Sequence, residues 1–513
     1  MRLSALAWCI VLLLASSSAA EKGESAVASS AYQACVVGST TKIFRDSPVA
    51  RASRGGARVY AARDEHRALQ VVVTAGARGL SQVRVAVSPL RDGEGRELSA
   101  ISLYRVAYVR LGKYERDYPD PLPPYAPFEV APRESQPVWV DICVPSEAAP
   151  GRYTGEIVVV PQGQPPTAIP LTLRVHDFEV PRAPTMRTAF GISEAFVYQQ
   201  DEVKAGTPEA QALLEKYYWF LVDHRISPYH IPVEVTSPEA ARFLDDPRVT
   251  AFIVPYTDDE KELKRRYDYV RAHGWMPKAY SYVVDEPVNQ EQYARLKELA
   301  DRIHRLAPDM KLVSPYFRDP DFEGKGDVYE GLSGIVDIWC PNTGFFNAEK
   351  IAAKREAGGE IWWYVCCGPG APYANFFVDL PGVCHRALFW QQYLMQVHGL
   401  LYWSTTYWNP SITTDPWADI ATVKDISPTI YGDGSLMYPG KQVGVDGPVS
   451  SIRLELIREG AQDYEYLRLL EARKGRQAAL AILESVVQDL THYTRSPIRL
   501  EAARRKLAQA ILD

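Results

Sequence analysis

One pattern governs residues 186–406: a short run rich in Val, Ile, Tyr or Trp, then a stretch with helical spacing of apolar residues, eight times over. The candidate strands are 186–192, 226–229, 250–255, 279–285, 311–316, 336–341, 361–367 and 400–406. Parallel strands need a long crossover, usually a helix, so this alternation calls for a parallel sheet with helices packed outside it. Eight units in about 225 residues suit a (β/α)₈ TIM barrel, which typically needs about 250. A doubly wound open sheet is the alternative, but no G-x-G-x-x-G or P-loop sequence follows any of the strands. Helix starts are legible. Thr207-Pro208-Glu209 and Ser237-Pro238-Glu239 each set a cap before a proline and an acid. Asn289 with Gln292 resembles a capping box, followed by Tyr293, Leu296, Leu299 and Ile303 on one face.

Upstream, residues 31–180 read as all β, with runs at 69–74, 83–87, 138–144, 155–160 and 169–175 punctuated by Gly and Pro. That spacing predicts an antiparallel β-sandwich. The segment Val180-Pro181-Arg182-Ala183-Pro184 is a stiff linker, because proline fixes φ and lacks a donor. After the barrel come turns at Gly432-Asp433-Gly434 and Pro439-Gly440, a short strand at 435–438 and two or three helices. The first helix, 451–472, carries the stripe Ile452, Leu456, Ala461, Tyr464 and Leu467; bonds from Arg453, Arg458 and Asp463 back to the barrel are an alternative, and plain packing is the reading held. The expected layout is a leader at 1–20, a sandwich at 21–180, a barrel at 185–430 and a C-terminal strand-and-helix extension at 431–513.

The leader has Arg2, an apolar run at 3–15 and the small residues Ser18, Ala19 and Ala20, the pattern of a cleaved secretory signal peptide. The chain is therefore expected to be secreted or periplasmic. No later run reaches the roughly 18 apolar residues of a membrane helix, so no transmembrane anchor is expected. A formal charge of -6 does not attract a phosphate backbone, which sets nucleic acid aside as a partner. The oligomeric state is left open. Of seven cysteines, six outlast the leader, too few for a disulfide-stapled scaffold. Cys366 and Cys367 are neighbours on an expected strand and point to opposite faces, so they are not paired. Cys35 and Cys143 are the one pair that a sandwich could bring together, but core packing as free thiols is the favoured reading for most of the six.

Barrel enzymes carry reacting groups at the C-terminal ends of their strands. The fourth strand ends Tyr282-Val283-Val284-Asp285-Glu286-Pro287, and two acids after an apolar run are costly unless used or paired. Pro287 helps end the strand, freeing both acids from in–out alternation. The competing reading is an acidic loop that caps the next helix. Glycoside hydrolysis usually takes two carboxylates across the scissile bond. The seventh strand, where a partner is often found, has only Glu360, at its wrong end. A sugar with a 2-acetamido group removes the need for that partner, since its carbonyl attacks the anomeric carbon while the protein supplies an acid and a residue to orient the amide.

Further residues carry a family likeness. Asp285-Glu286-Pro287, Arg386 with Trp390, Gly399-Leu400-Leu401-Tyr402-Trp403, and Gly432-Asp433-Gly434 through Tyr438-Pro439-Gly440 resemble glycoside hydrolase family 123. So does Arg453 through Arg458-Glu459-Gly460 to Asp463-Tyr464-Glu465-Tyr466-Leu467. Asp64-Glu65, Gln70 and Gly151-Arg152-Tyr153-Thr154-Gly155 are similar to that family's N-terminal sandwich. The resemblance implies a retaining, substrate-assisted β-N-acetylgalactosaminidase-like enzyme acting on a carbohydrate. In it Asp285 orients the acetamido group and Glu286 serves as general acid, then base.

Sugar rings stack on aromatic planes and bond to phenol and indole donors, so strand-end aromatics are candidate substrate contacts: Trp403, Tyr364 and Trp408 first, then Tyr316, Tyr229 and His230. Each is also a plausible core residue. Asn342 is a polar candidate after the sixth strand, with a turn role as its equal. No cofactor or metal is expected: there is no H-E-x-x-H, and His224 and His230 lack ligand partners. Gly191-Ile192-Ser193-Glu194-Ala195 lacks the last glycine of a nucleophile elbow. Two other functions fit the same fold. One is a two-carboxylate glycosidase using Asp319 or Asp321, the other a non-catalytic carbohydrate-binding protein.

Overall fold

The computed structural model describes residues 31–48, 56–322, 326–424 and 429–513. The expected leader at 1–20 lies outside them. The N-terminal part is two facing sheets. One has the order Tyr32–Gly38, Glu65–Ala75, Ser135–Val144, Ile101–Arg105; the other runs Phe128–Val130, Leu80–Val87, Gly151–Val160, Thr167–Glu179, Ala57–Arg63. Pairing is antiparallel apart from Thr167–Glu179 with Ala57–Arg63, which is parallel. Alternate residues Val71 and Val73, then Val138, Val140 and Ile142, meet Ile157, Val159, Leu171 and Leu173 in the core. The opposite face of the first sheet is covered too, with Ala68 and Trp139 packed on Ile452 and Leu456 of the C-terminal region. Cys35 and Cys143 do not face each other across the sandwich. They lie on the same sheet, on either side of Glu65–Ala75, where Cys35 pairs with Val72 and Cys143 with His66; both are free thiols.

The barrel has seven parallel strands, in the order Arg187–Phe190, Gly399–Tyr402, Glu360–Tyr364, Ile338–Pro341, Lys311–Tyr316, Ala279–Tyr282, Phe252–Ile253. The second expected strand, 226–229, is reduced to a single parallel bridge between Phe190 and Pro228, because Pro228 brings no N–H to a ladder. The segment still closes the ring almost completely. Phe190 N donates to Ser227 O (3.0 Å), Tyr229 N to Phe190 O (2.8 Å) and Ile253 N to Tyr229 O (2.7 Å). Period-two alternation sorts the side chains. Ala189, Ala251, Ile253, Tyr280, Val313, Ile338, Cys340, Trp362, Tyr364 and Leu401 fill the barrel, while residues one position off, such as Leu312, Trp339, Trp363 and Leu400, pack under the helices.

Local signals set the helix starts. Thr207 accepts from Ala210 N ahead of Pro208–Asp223, and Asn289 accepts from Gln292 N ahead of Gln290–Leu306, whose Tyr293, Leu296, Leu299 and Ile303 are buried. At Ser237-Pro238-Glu239 only the short helix Ala240–Leu244 follows, with no side-chain cap.

The helix Ile452–Lys474 differs most from its amphipathic reading. It is buried on all sides as far as Leu467, wedged between sandwich and barrel. Its charges therefore need partners, and several come from the sandwich rather than the barrel. Arg453 donates through Nε and Nη2 to Asp120, Arg458 donates to Asp141 at 2.9 Å, and both arginines are held well above the usual guanidinium range by these acids despite burial. Asp463 accepts from Arg386 of the barrel helix Gly382–Leu394 and from Arg504 of the last helix, while Arg504 also pairs with Glu65 of the sandwich.

Candidate active site

The Ala279–Tyr282 strand ends three residues earlier than its apolar run suggested, and Val283-Val284-Asp285-Glu286 leave it as a loop over the C-terminal mouth of the barrel. Glu286 sits at φ 44°, a left-handed conformation uncommon for a residue with a side chain. That turn sends the two neighbouring acids to different partners. Tyr282, an inward residue of the same strand, donates to Asp285 Oδ1 at 2.5 Å. Tyr364, inward from Glu360–Tyr364, donates to Glu286 Oε1. Both carboxylates bear electrostatically on Cys340 inside the barrel, so both lie above one lumen. Asp285 is exposed and Glu286 half-buried. Burial pushes the Glu286 carboxyl up from its ordinary value, the Tyr364 hydroxyl pulls it down, and the Asp285 charge adds to the rise. The direction suits a proton donor at neutral pH.

The other candidates separate cleanly. Tyr229 stands in the mouth with its ring 6.2 Å from that of Tyr282, and its hydroxyl has no protein partner. Trp403, half-buried, lies over Tyr407 and donates from Nε1 to Asp433 Oδ2 at 3.1 Å. His230 is exposed and lines a flanking cleft of about 770 Å³ with Glu194, Tyr198 and Glu234. Two expected contacts face away. Tyr316 points outward, as its even spacing from Leu312 requires, and packs edge-on to Tyr329 and Trp339. Trp408 is wholly buried against Tyr217, its indole N–H donating to Met437 O at 3.1 Å. Asn342 takes its turn role, since its Oδ1 accepts from Gly344 N and its Nδ2 donates to Gly368 O. Asp319 is likewise committed, accepting from Val328 N at 3.0 Å.

Asp433 is the residue that sequence reasoning passed over as part of a turn. Its carboxylate is buried and accepts from Tyr402 Oη and Trp403 Nε1, both at 3.1 Å, and burial pushes its pKa up to about 6. An acid between two glycines, Gly432 and Gly434, in the segment that follows the last barrel strand was the available signal. Cys366 and Cys367 also lie here. The strand stops at Tyr364, alternation no longer applies, and the two sulfurs are 3.8 Å apart instead of on opposite faces. Among the described residues no group of three or more His, Cys, Asp or Glu is placed to hold a metal ion. No described helix is long and apolar enough to cross a membrane.

A sandwich-backed parallel barrel with two carboxylates over its lumen is the kind of scaffold on which glycoside hydrolysis is performed. The catalytic-domain model of glycoside hydrolase 123 matches residues 222–470, and that family's N-terminal-domain model matches 38–161. The chain belongs to glycoside hydrolase family 123. Its fold is similar to that of a family 123 glycoside hydrolase from Clostridium perfringens, described in a study of glycolipid glycan hydrolysis. The match has 13% identity, covers 94% of this chain and 98% of that one, and has a TM-score of 0.72. A family 39 glycoside hydrolase from Bacteroides cellulosilyticus WH2 matches over 82% of each chain at 9% identity, with a TM-score of 0.31 that carries nothing further. No curated protein matches the sequence.

Proposed function

We propose that this glycosidase removes β-linked N-acetylhexosamine, N-acetylgalactosamine above all, from glycans or glycoconjugates, with retention and with the substrate's acetamido group as nucleophile. The observation that carries this reading is the division of partners at Asp285 and Glu286. One acid is exposed to the lumen on a tyrosine of its own strand, while the other is half-buried, with its proton affinity raised, on a tyrosine from across the barrel. Asp285 receives the acetamido N–H and offsets positive charge as the oxazolinium ring closes. Glu286 protonates the leaving oxygen and then activates water. A free carboxylate to act as a second nucleophile is not offered by Glu360, which sits at the far end of its strand bonded to Lys311 and Trp362. Nor is it offered by Asp433, whose oxygens are both taken. The signal-peptide pattern at 1–20 supports export, so the substrate is met outside the cytoplasm.

The test is kcat/KM for Asp285→Asn and Glu286→Gln against aryl N-acetylgalactosaminides of graded leaving-group pKa. Glu286→Gln should lose least where the aglycone needs no proton, while Asp285→Asn should slow good and poor leaving groups alike. Equal leaving-group dependence in the two variants, or full activity on 2-hydroxy analogues, would overturn the assignment.

A further inference from the structure

The loop after Tyr364 brings two thiols together at the rim of the site. Cys367 is exposed, Cys366 half-buried, and their sulfurs stand 3.8 Å apart. The backbone beneath them is braced. Cys366 N donates to Gly368 O at 3.0 Å, Asn375 Nδ2 donates to Cys366 O (2.9 Å) and Pro369 O (3.0 Å), and Asn342 Nδ2 reaches Gly368 O while lying 3.9 Å from Cys366 Sγ. The pair is also wired to the chemistry, because the Cys367 sulfur feels the charges of both Asp433 and Glu286. Among the described residues no other cysteine sulfur has a second thiol beside it; Cys340 is buried inside the barrel, and Cys384 is buried against Tyr493 and Arg495.

We propose that Cys366 and Cys367 close reversibly into a vicinal disulfide beside Glu286, through exchange with a small-molecule disulfide such as oxidised glutathione, and that closure alters turnover at the site. Cys367 is the exposed member of the pair, open to a small-molecule disulfide, and its thiol is shifted down by the neighbouring Cys366 sulfur, which makes it the attacking group. Its sulfur displaces one glutathione thiolate and forms a mixed disulfide. Cys366 then loses its proton and attacks the Cys367 sulfur, releasing the second glutathione. Two thiols become one S–S bond, one glutathione disulfide becomes two thiols, and the two protons go to the released glutathione. Adjacent Cα atoms lie about 3.8 Å apart, below the span of about 4.4–6.8 Å usual for disulfides, so the closed ring is easily reduced and the change is reversible. Closure replaces the ionisable thiol of Cys367, which interacts electrostatically with Glu286, by an uncharged S–S bond. The turnover arm rests on the reading of Glu286 given above; the thiol arm does not.

The whole chain is equilibrated with oxidised or reduced glutathione, denatured, alkylated and digested with trypsin. The peptide spanning 356–386 holds Cys366, Cys367 and Cys384. It should carry one alkyl group after oxidation and three after reduction, and Cys367→Ser should abolish the closed form. In parallel, kcat/KM should change at least about twofold on oxidation, and the change should vanish in Cys366→Ser. Three alkyl groups under both conditions, or a lasting glutathione adduct on Cys367, would overturn the disulfide. A closed pair with unchanged kcat/KM in an active enzyme would overturn its coupling to the site.

Discussion

The Tyr364 hydroxyl reaches Glu286 from a strand three places round the barrel. It favours the ionised carboxylate, whereas burial and Asp285 favour the protonated one. A general acid works only while protonated, so the alkaline limb of kcat/KM follows the pKa of Glu286. Removing the hydroxyl raises that pKa. Tyr364→Phe should therefore move the alkaline limb to higher pH, by about one unit if a charged hydrogen bond of ordinary strength is lost. A full pH–rate profile of the two proteins checks this, and a downward move would show that Tyr364 does not hold the ionised form.

Asp433 gives a second pH signature, in stability. Its folded pKa, about 6, lies above the ordinary 3.8, so the folded state holds this proton more tightly than the unfolded one. The stabilisation is fully present below about pH 4 and is lost as pH rises through about 6, up to about 3 kcal/mol in all. Asp433→Asn should flatten that segment of the curve. Urea midpoints of both proteins across pH 4–7 measure it.

Gly434 controls the indole above that acid. It sits at φ +69°, and an added Cβ would come within 2.3 Å of Trp403 Cζ2. Gly434→Ala should displace Trp403 and raise KM more than it lowers kcat, with Trp403→Ala doing the same. Steady-state kinetics on folded variants decide; unchanged KM in both would remove Trp403 from substrate binding.

The sequence announced the barrel because its inward and outward positions are set by local alternation, which needs no knowledge of partners. The same rule separates Tyr364 from Tyr316, one inside and one out, once strand register is known; composition alone made them look alike. Where strands stop was harder to see. The runs that lead into Asp285 and Cys367 keep their strand-like composition, yet in both the strand stops three residues sooner, and that decides where the acids and thiols point. Asp433 was hidden for a different reason, because its neighbours Tyr402 and Trp403 come from a strand about 30 residues earlier.

Arg453 tests the seam between the two parts. It and Asp120 are both fully buried, and Tyr438 donates to the same carboxylate at 2.7 Å. Removing one member leaves an uncompensated buried charge, which typically costs about 3–5 kcal/mol. Arg453→Met should lower stability by that order in chemical denaturation, and Asp120→Asn alone should be comparably harmful. A loss below about 1 kcal/mol would mean that the pair is dispensable.

That seam bears on how far the two parts can be separated. Asp120, Asp141 and Glu65 belong to the sandwich, yet they neutralise Arg453, Arg458 and Arg504, which arrive more than three hundred residues later. A barrel cut free at the proline linker would carry three guanidinium groups stripped of these acids, and a foreign sandwich would have to bring acids to the same three points. The two parts are distinct to the eye but not exchangeable cassettes, because a swap at the linker would leave buried guanidinium groups short of the acids that match them.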